Sequence, residues 1–128
     1  MKNDTIYIEH ILQAIAKIEQ YTKKKTKQKF LDDSLVQDGV IRQIEIIGEA
    51  SKHISNAIKE KTTNIPWRDI AGMRDKLIHD YFGVDVDAVW RTAKRDIPYL
   101  KKEIQSLKRK LNKLMRGILL LFSCFSLL

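Results

Sequence analysis

The residues best suited to chemistry lie close together in "AGMRDKLIHDYFG", residues 71–83. Arg74 is followed five residues on by His79 and two further by Tyr81, with Asp75 next to the arginine. An imidazole changes charge near neutral pH, so His79 can take the proton of an RNA 2′-hydroxyl or return one to a leaving oxygen. A guanidinium binds a phosphate through two hydrogen bonds and offsets the extra charge of the transition state, the role open to Arg74. Together these types suit phosphodiester cleavage. Internal transfer by a 2′-hydroxyl requires no metal, and no cluster of acids suggests a metal cage. We therefore expect neither a metal nor a cofactor.

Helical geometry, at about 100° per residue, sorts this stretch into faces. Ile70, Ala71, Met73, Leu77, Ile78 and Tyr81 fall in one broad apolar sector, with Arg74 inside it. An unpaired buried guanidinium costs several kcal/mol, so that sector cannot all be dry core. Asp75 and His79 are four apart on a different face, where the carboxylate can orient or charge the imidazole. Gly72, one turn earlier, leaves that face open. Arg74 and His79 stand about 140° apart around a straight helix. Either the helix bends toward Gly83, or a second copy of the chain completes the site, which implies a two-fold homodimer. The structural alternative has Arg74 paired with a core acid and His79 as an ordinary surface or satisfied histidine. His10 and His53 lack comparable company and read as structural.

The elements that must position these residues are helices. "YIEHILQAIAKIEQY" spaces Ile8, Ile11, Leu12, Ile15 and Ile18 at three and four residues, an amphipathic helix from about Asp4 into the lysine run. "FLDDS" breaks the pattern, and Asp33 or Ser34 caps a second helix. That helix reads on through Val36, Val40, Ile44, Ile47, Ala50, Ile54 and Ile58, with Gly48 permitting a close helix approach. Thr62–Asn64 form a loop, and Pro66 suits a first turn. The third helix is predicted over about 66–82, stopped by Gly83 through a positive φ. Asp85 or Asp87 caps a fourth. Pro98 breaks or kinks it near Arg95, with Asp96 available to cap the next segment. Ile97, Leu100, Ile104, Leu107, Leu111 and Leu114 continue as the last helix. The expected fold is all-α, an antiparallel bundle of four main helices with the last one broken near Pro98.

Composition bounds the partners. The 128 residues make one domain at most. The net charge of +8 is unevenly spread, since residues 101–128 carry seven Lys/Arg against Glu103 alone. A second basic cluster is "KKKTKQK", 23–29. Such clusters attract phosphates, although a solvated helix face is the plainer reading of either one. The single cysteine, Cys124, excludes an intramolecular disulfide and fits a reducing compartment. "MKNDTIYIEH" has no apolar signal-peptide core, so a cytoplasmic location is expected. "GILLLFSCFSLL", 117–128, is apolar all round but too short for a membrane span. We divide the chain into a helical domain, 1–111, and an atypical tail, 112–128, basic and then apolar.

"PWRDIAGMRDKLIHDYFGVDVDAVW", 66–90, resembles the signature of the HepT-like toxins of the HEPN superfamily: Arg, four residues, His, any residue, Tyr. "DGVIRQIEIIGEASK", 38–52, resembles the family's second helix and "DIPYLKKEI", 96–104, its last. The resemblance covers roughly 4–108 and implies an all-α homodimer with the motifs facing across a cleft. It implies a metal-independent RNase acting on mRNA or tRNA as the toxin of a type VII-like toxin–antitoxin system. Carried over, Arg74 and His79 are catalytic, Asp75 is a polar helper, and Tyr81 is the hydroxyl that receives AMP from a cognate MntA-like nucleotidyltransferase antitoxin. The rival class is a non-catalytic HEPN companion that binds a nucleotidyltransferase, nucleotide or RNA. The intact Arg–His pair favours the enzyme.

Overall fold

The structure, a computed structural model, describes residues 2–79 and 83–126, which are helical with no strand among them. The three- and four-residue isoleucine spacing forms α1 (Lys2–Thr22), which buries Ile8, Ile11, Ile15 and Ile18. Lys24 turns the chain with a φ of 60°. Thr26 then caps a short α2 (Lys27–Leu31) by accepting from the Lys29 N–H, and Phe30 is fully buried. The lysine run is thus split between a turn and a second small helix. Asp33, rather than Ser34, caps α3 (Ser34–Lys52), its carboxylate accepting from the Val36 N–H at 3.1 Å.

The sequence reads as one helix from Val36 to Ile58, and the structure breaks it. α3 ends at Lys52, and α4 (Asn56–Lys61) restarts under the Ser55 side chain, which accepts from the Ile58 N–H. The interruption has a distant cause. Buried Asp4 of α1 accepts the Ser55 N–H at 2.7 Å, so that donor is satisfied across the bundle and not by the next turn of helix.

Three contacts fix the start of α5 (Trp67–His79). Trp67 Nε1 donates to Thr62 Oγ1 at 2.9 Å, the Tyr99 hydroxyl donates to the Asn64 carbonyl at 2.7 Å, and the Asn64 amide bonds Glu103. Pro66 precedes the helix, where its missing N–H leaves nothing unpaired. The continuation to residue 82, and with it Tyr81, lies outside the described residues.

Asp85 caps α6 (Val86–Arg91) through the Ala88 N–H. One π-helical turn, Thr92–Asp96, joins it to α7 (Ile97–Ser126). A proline ring crowds the carbonyl four residues back and offers no donor. Here the strain is taken up by widening: the Ile97 N–H reaches back five residues to the Thr92 carbonyl. The break expected near Arg95 is therefore this π turn, and Asp96 lies within it without starting a new helix. α3 sits at the centre, packed by α1 and α5, and the π turn and α7 close against α1. α7 buries Ile97, Leu100, Ile104 and Leu107, and its burial ends there. Leu114 is 51% exposed and Phe122 71% exposed. No helix among the described residues is long and apolar enough to cross a membrane.

Candidate active site

α3 and α5 pass very close at Gly48. A Cβ added there would lie 2.1 Å from Cβ of Arg74 and 3.1 Å from the Ile70 carbonyl oxygen, so only glycine allows this approach. The expectation that Gly48 serves close packing holds, and it brings the arginine onto α3. Arg74 Nη2 lies 3.0 Å from Glu49 Oε2, and Nη1 lies 3.0 Å from Asp75 Oδ1. Lys52 Nζ is 2.5 Å from the same Asp75 oxygen, and His53 Nε2 is 3.3 Å from the other Glu49 oxygen. The result is a chain of alternating charge, His53, Glu49, Arg74, Asp75, Lys52, laced across two helices. Lys52, and after it Arg74, hold the Asp75 carboxyl below its ordinary pKa. The Arg74 side chain is 26% exposed. Partial exposure and two carboxylate partners resolve the charge inside an apolar sector. One guanidinium N–H donates to Asp75 and a second nitrogen pairs with Glu49, so a group with five N–H donors has others to offer a phosphate.

Arg74 opens onto a cleft of about 230 Å³ between α1, α3 and α5, where it meets Glu49, His53, Tyr7, His10 and Arg42. A second cavity, about 270 Å³, lies between α3, α5 and the π turn. Its lining includes Asp69 and Asp96 but no cationic side chain, so it would repel a phosphate. The first cleft, with Arg42 and Arg74 in its lining, is the better suited of these two to an anionic ligand. Among the described residues no group of three or more His, Cys, Asp or Glu side chains is placed to hold a metal ion.

Two expectations change. Asp75 turns to Lys52 and Arg74 and does not pair with His79, because two fixed cations outcompete a histidine at the helix end. His79 is the last residue of α5, exposed and outside the cleft lining. α5 stays α-helical through His79, so no bend before that point brings it to Arg74. His10 and His53, read as structural, line the cleft with Tyr7. The Tyr7 and His53 rings stack at 4.7 Å and 13°, and His10 meets Tyr7 edge-on at 5.8 Å. Sequence reasoning missed Glu49 and Lys52 altogether. The available signal was the Glu49–His53 spacing of four beside Gly48.

Residues 11–107 match the ribonuclease HepT-like family. The chain belongs to that family. A HepT-like relative in Thermococcus cleftensis, "Probable ribonuclease HepT", is 52% identical over 103 residues, covering 80% of this chain and 94% of that one. A protein of Methanocaldococcus jannaschii, "Gamma-glutamylcyclotransferase and putative RNase", is 49% identical over 112 residues, or 88% of this chain. The chain spans only 50% of the length of that relative. No solved structure matches this chain. The HepT-like match contains Glu49, Arg74 and His79 and stops short of the tail.

Proposed function

We propose that this HepT-like chain is a metal-independent endoribonuclease and the toxin of a type VII-like toxin–antitoxin pair. The observation that carries the proposal is Arg74: a guanidinium aimed by two carboxylates into a cleft, with donors to spare, on the helix that ends in exposed His79. In this reading Arg74 clamps the scissile phosphate. His79 removes the 2′-hydroxyl proton, the 2′-oxygen attacks phosphorus, and the 5′-oxygen leaves with a proton. The products carry a 2′,3′-cyclic phosphate and a 5′-hydroxyl. Asp75 supports Arg74. Because α5 is α-helical through His79 and so holds Arg74 and His79 about 140° apart, a second copy across a two-fold axis supplies the His79 that faces a given Arg74. AMP placed on Tyr81 by an MntA-like nucleotidyltransferase adds bulk and negative charge that compete with RNA for Arg74. The ion pairs that Arg74 already makes with Glu49 and Asp75 also favour a second reading, a HEPN companion that binds RNA or nucleotide without cutting it.

Incubation of the purified protein with total RNA, with and without EDTA, separates these readings. Arg74→Ala and His79→Ala are expected to lose about 100-fold or more while keeping their circular dichroism. EDTA is expected to change nothing. Undiminished cutting by a folded His79→Ala protein removes His79 from the catalytic role, and no cutting by the parent transfers the chain to the binding class. Treatment with the antitoxin and ATP is expected to add AMP mass and silence cutting, with Tyr81→Phe escaping both.

A further inference from the structure

We propose that the stacked Tyr7–His53 pair is a nucleobase shelf, holding a base of the RNA whose phosphate Arg74 binds; the ligand class, RNA, rests on the ribonuclease reading above. Several observations converge on it. Glu49 links the two parts of the cleft, one of its oxygens on Arg74 and the other on His53. A phosphate at the guanidinium therefore has an aromatic surface beside it. The stack does not use up the His53 ring, whose side chain remains 50% exposed and lines the cleft. Tyr7 packs against the hydrophobic core, so it backs His53 with a firm support.

The support is also rigid. His53 is the C-terminal cap of α3, and the turn after it is pinned by the Asp4–Ser55 hydrogen bond. A ring held this way loses little freedom when a base stacks on it, and base–aromatic stacking contributes ~1–3 kcal/mol per base. The charges select the same kind of ligand. Glu45 and Glu49 line the cleft with Arg42 and Arg74, so its two acids oppose a second anionic group. A base is neutral, offers a π face to the histidine, and carries N–H groups that a carboxylate accepts. A peptide acid or a second phosphate meets those requirements less well.

The test uses a 2′-O-methyl RNA oligonucleotide, which lacks the attacking hydroxyl and so reports binding without cleavage. Its partner probe is an abasic chain with the same sugar–phosphate backbone and no bases. Fluorescence anisotropy is expected to show that His53→Ala weakens the base-bearing probe ~5- to 100-fold. The abasic probe is expected to bind His53→Ala as it binds the parent protein. His53→Phe, which keeps a ring but not the contact to Glu49, is expected to hold the base-bearing probe. Arg74→Ala is expected to weaken both probes. Equal weakening of the two probes by His53→Ala would overturn the shelf and make His53 a positioning residue for Arg74. Unchanged binding of the base-bearing probe by His53→Ala, or no binding by the parent, overturns it outright. If the parent binds with a His53-dependent base contribution yet cuts no RNA, the shelf stands and the nuclease reading falls.

Discussion

Arg74 is shared between a carboxylate on α3 and one on its own helix, and Asp75 is in turn shared between Arg74 and Lys52. This sharing makes a pH prediction. The Asp75 carboxyl is held below its ordinary value of 3.8 by its hydrogen bonds from Lys52 and then Arg74. A depressed carboxyl pKa contributes stability that is fully present above the unfolded value and is lost as pH falls through the lower folded one. The window therefore opens near pH 3.8 and extends below it. Asp33, depressed chiefly by the Val36 N–H, loses its contribution in the same window, so the comparison must be with Asp75→Asn. Urea unfolding is expected to find Asp75→Asn less stable than the parent at neutral pH, with the gap closing in acid. A gap that stays constant into strong acid would show that the charge of Asp75 stabilises nothing. The pair is solvent-exposed, so the effect is small.

The α3–α5 crossing decides whether Arg74 reaches the cleft at all. Gly48→Ala should gain about 1 kcal/mol of helix propensity, yet its methyl group would sit 2.1 Å from a Cβ that cannot rotate away. Overpacking of this kind costs about 1–3 kcal/mol, and here α5 itself has to shift. Net of the propensity gain, we expect a lower melting temperature by calorimetry, by up to about 8 °C for a chain of this size. Moving the arginine should also cut RNA cleavage about 10-fold or more, since small displacements at a reacting centre are expensive. A Gly48→Ala protein with unchanged melting and cleavage would mean that the two helices are free to part at this crossing.

For the molecule as a whole, the proposed nuclease needs two copies. If Arg74 of one chain works with His79 of another, mixed subunits of Arg74→Ala and His79→Ala regain one intact site per heterodimer. Random mixing should then restore about a quarter of the parent activity from two dead proteins. No recovery after subunit exchange, verified by light scattering, would place both residues of each site in one chain. The far end of α7 makes a separate prediction. Its burial stops at Leu107, with Leu111 partly covered, and Leu119, Leu120, Leu121 and Phe122 are each at least 66% exposed. Residues 112–124 are all exposed, so among the described residues removing 112–128 takes away surface and no core. The melting temperature should stay within about 2 °C and solubility should rise, because bare apolar surface promotes association. A large loss of stability would assign the tail a packing role in the assembly.

Much of the fold was legible in the chain itself. Isoleucine and leucine at three- and four-residue spacing determined which face of each helix is buried, because that spacing is a local property of an α-helix. The same logic marked Arg74 as a charge on an apolar face that had to find partners, and Gly48 as a place of close approach. Which partners Arg74 found was decided by the tertiary structure. Spacing tells which side of α5 the arginine occupies, but only the packing of α3 against that side brings Glu49 to it and Lys52 to Asp75. The break after Lys52 was hidden for the same reason, since its cause is a bond between Asp4 and Ser55, fifty-one residues apart. Tyr7, His10 and His53 looked ordinary one at a time. They form a cleft wall because α1 and α3 pack side by side, and a contact between distant segments leaves no period in the sequence to read.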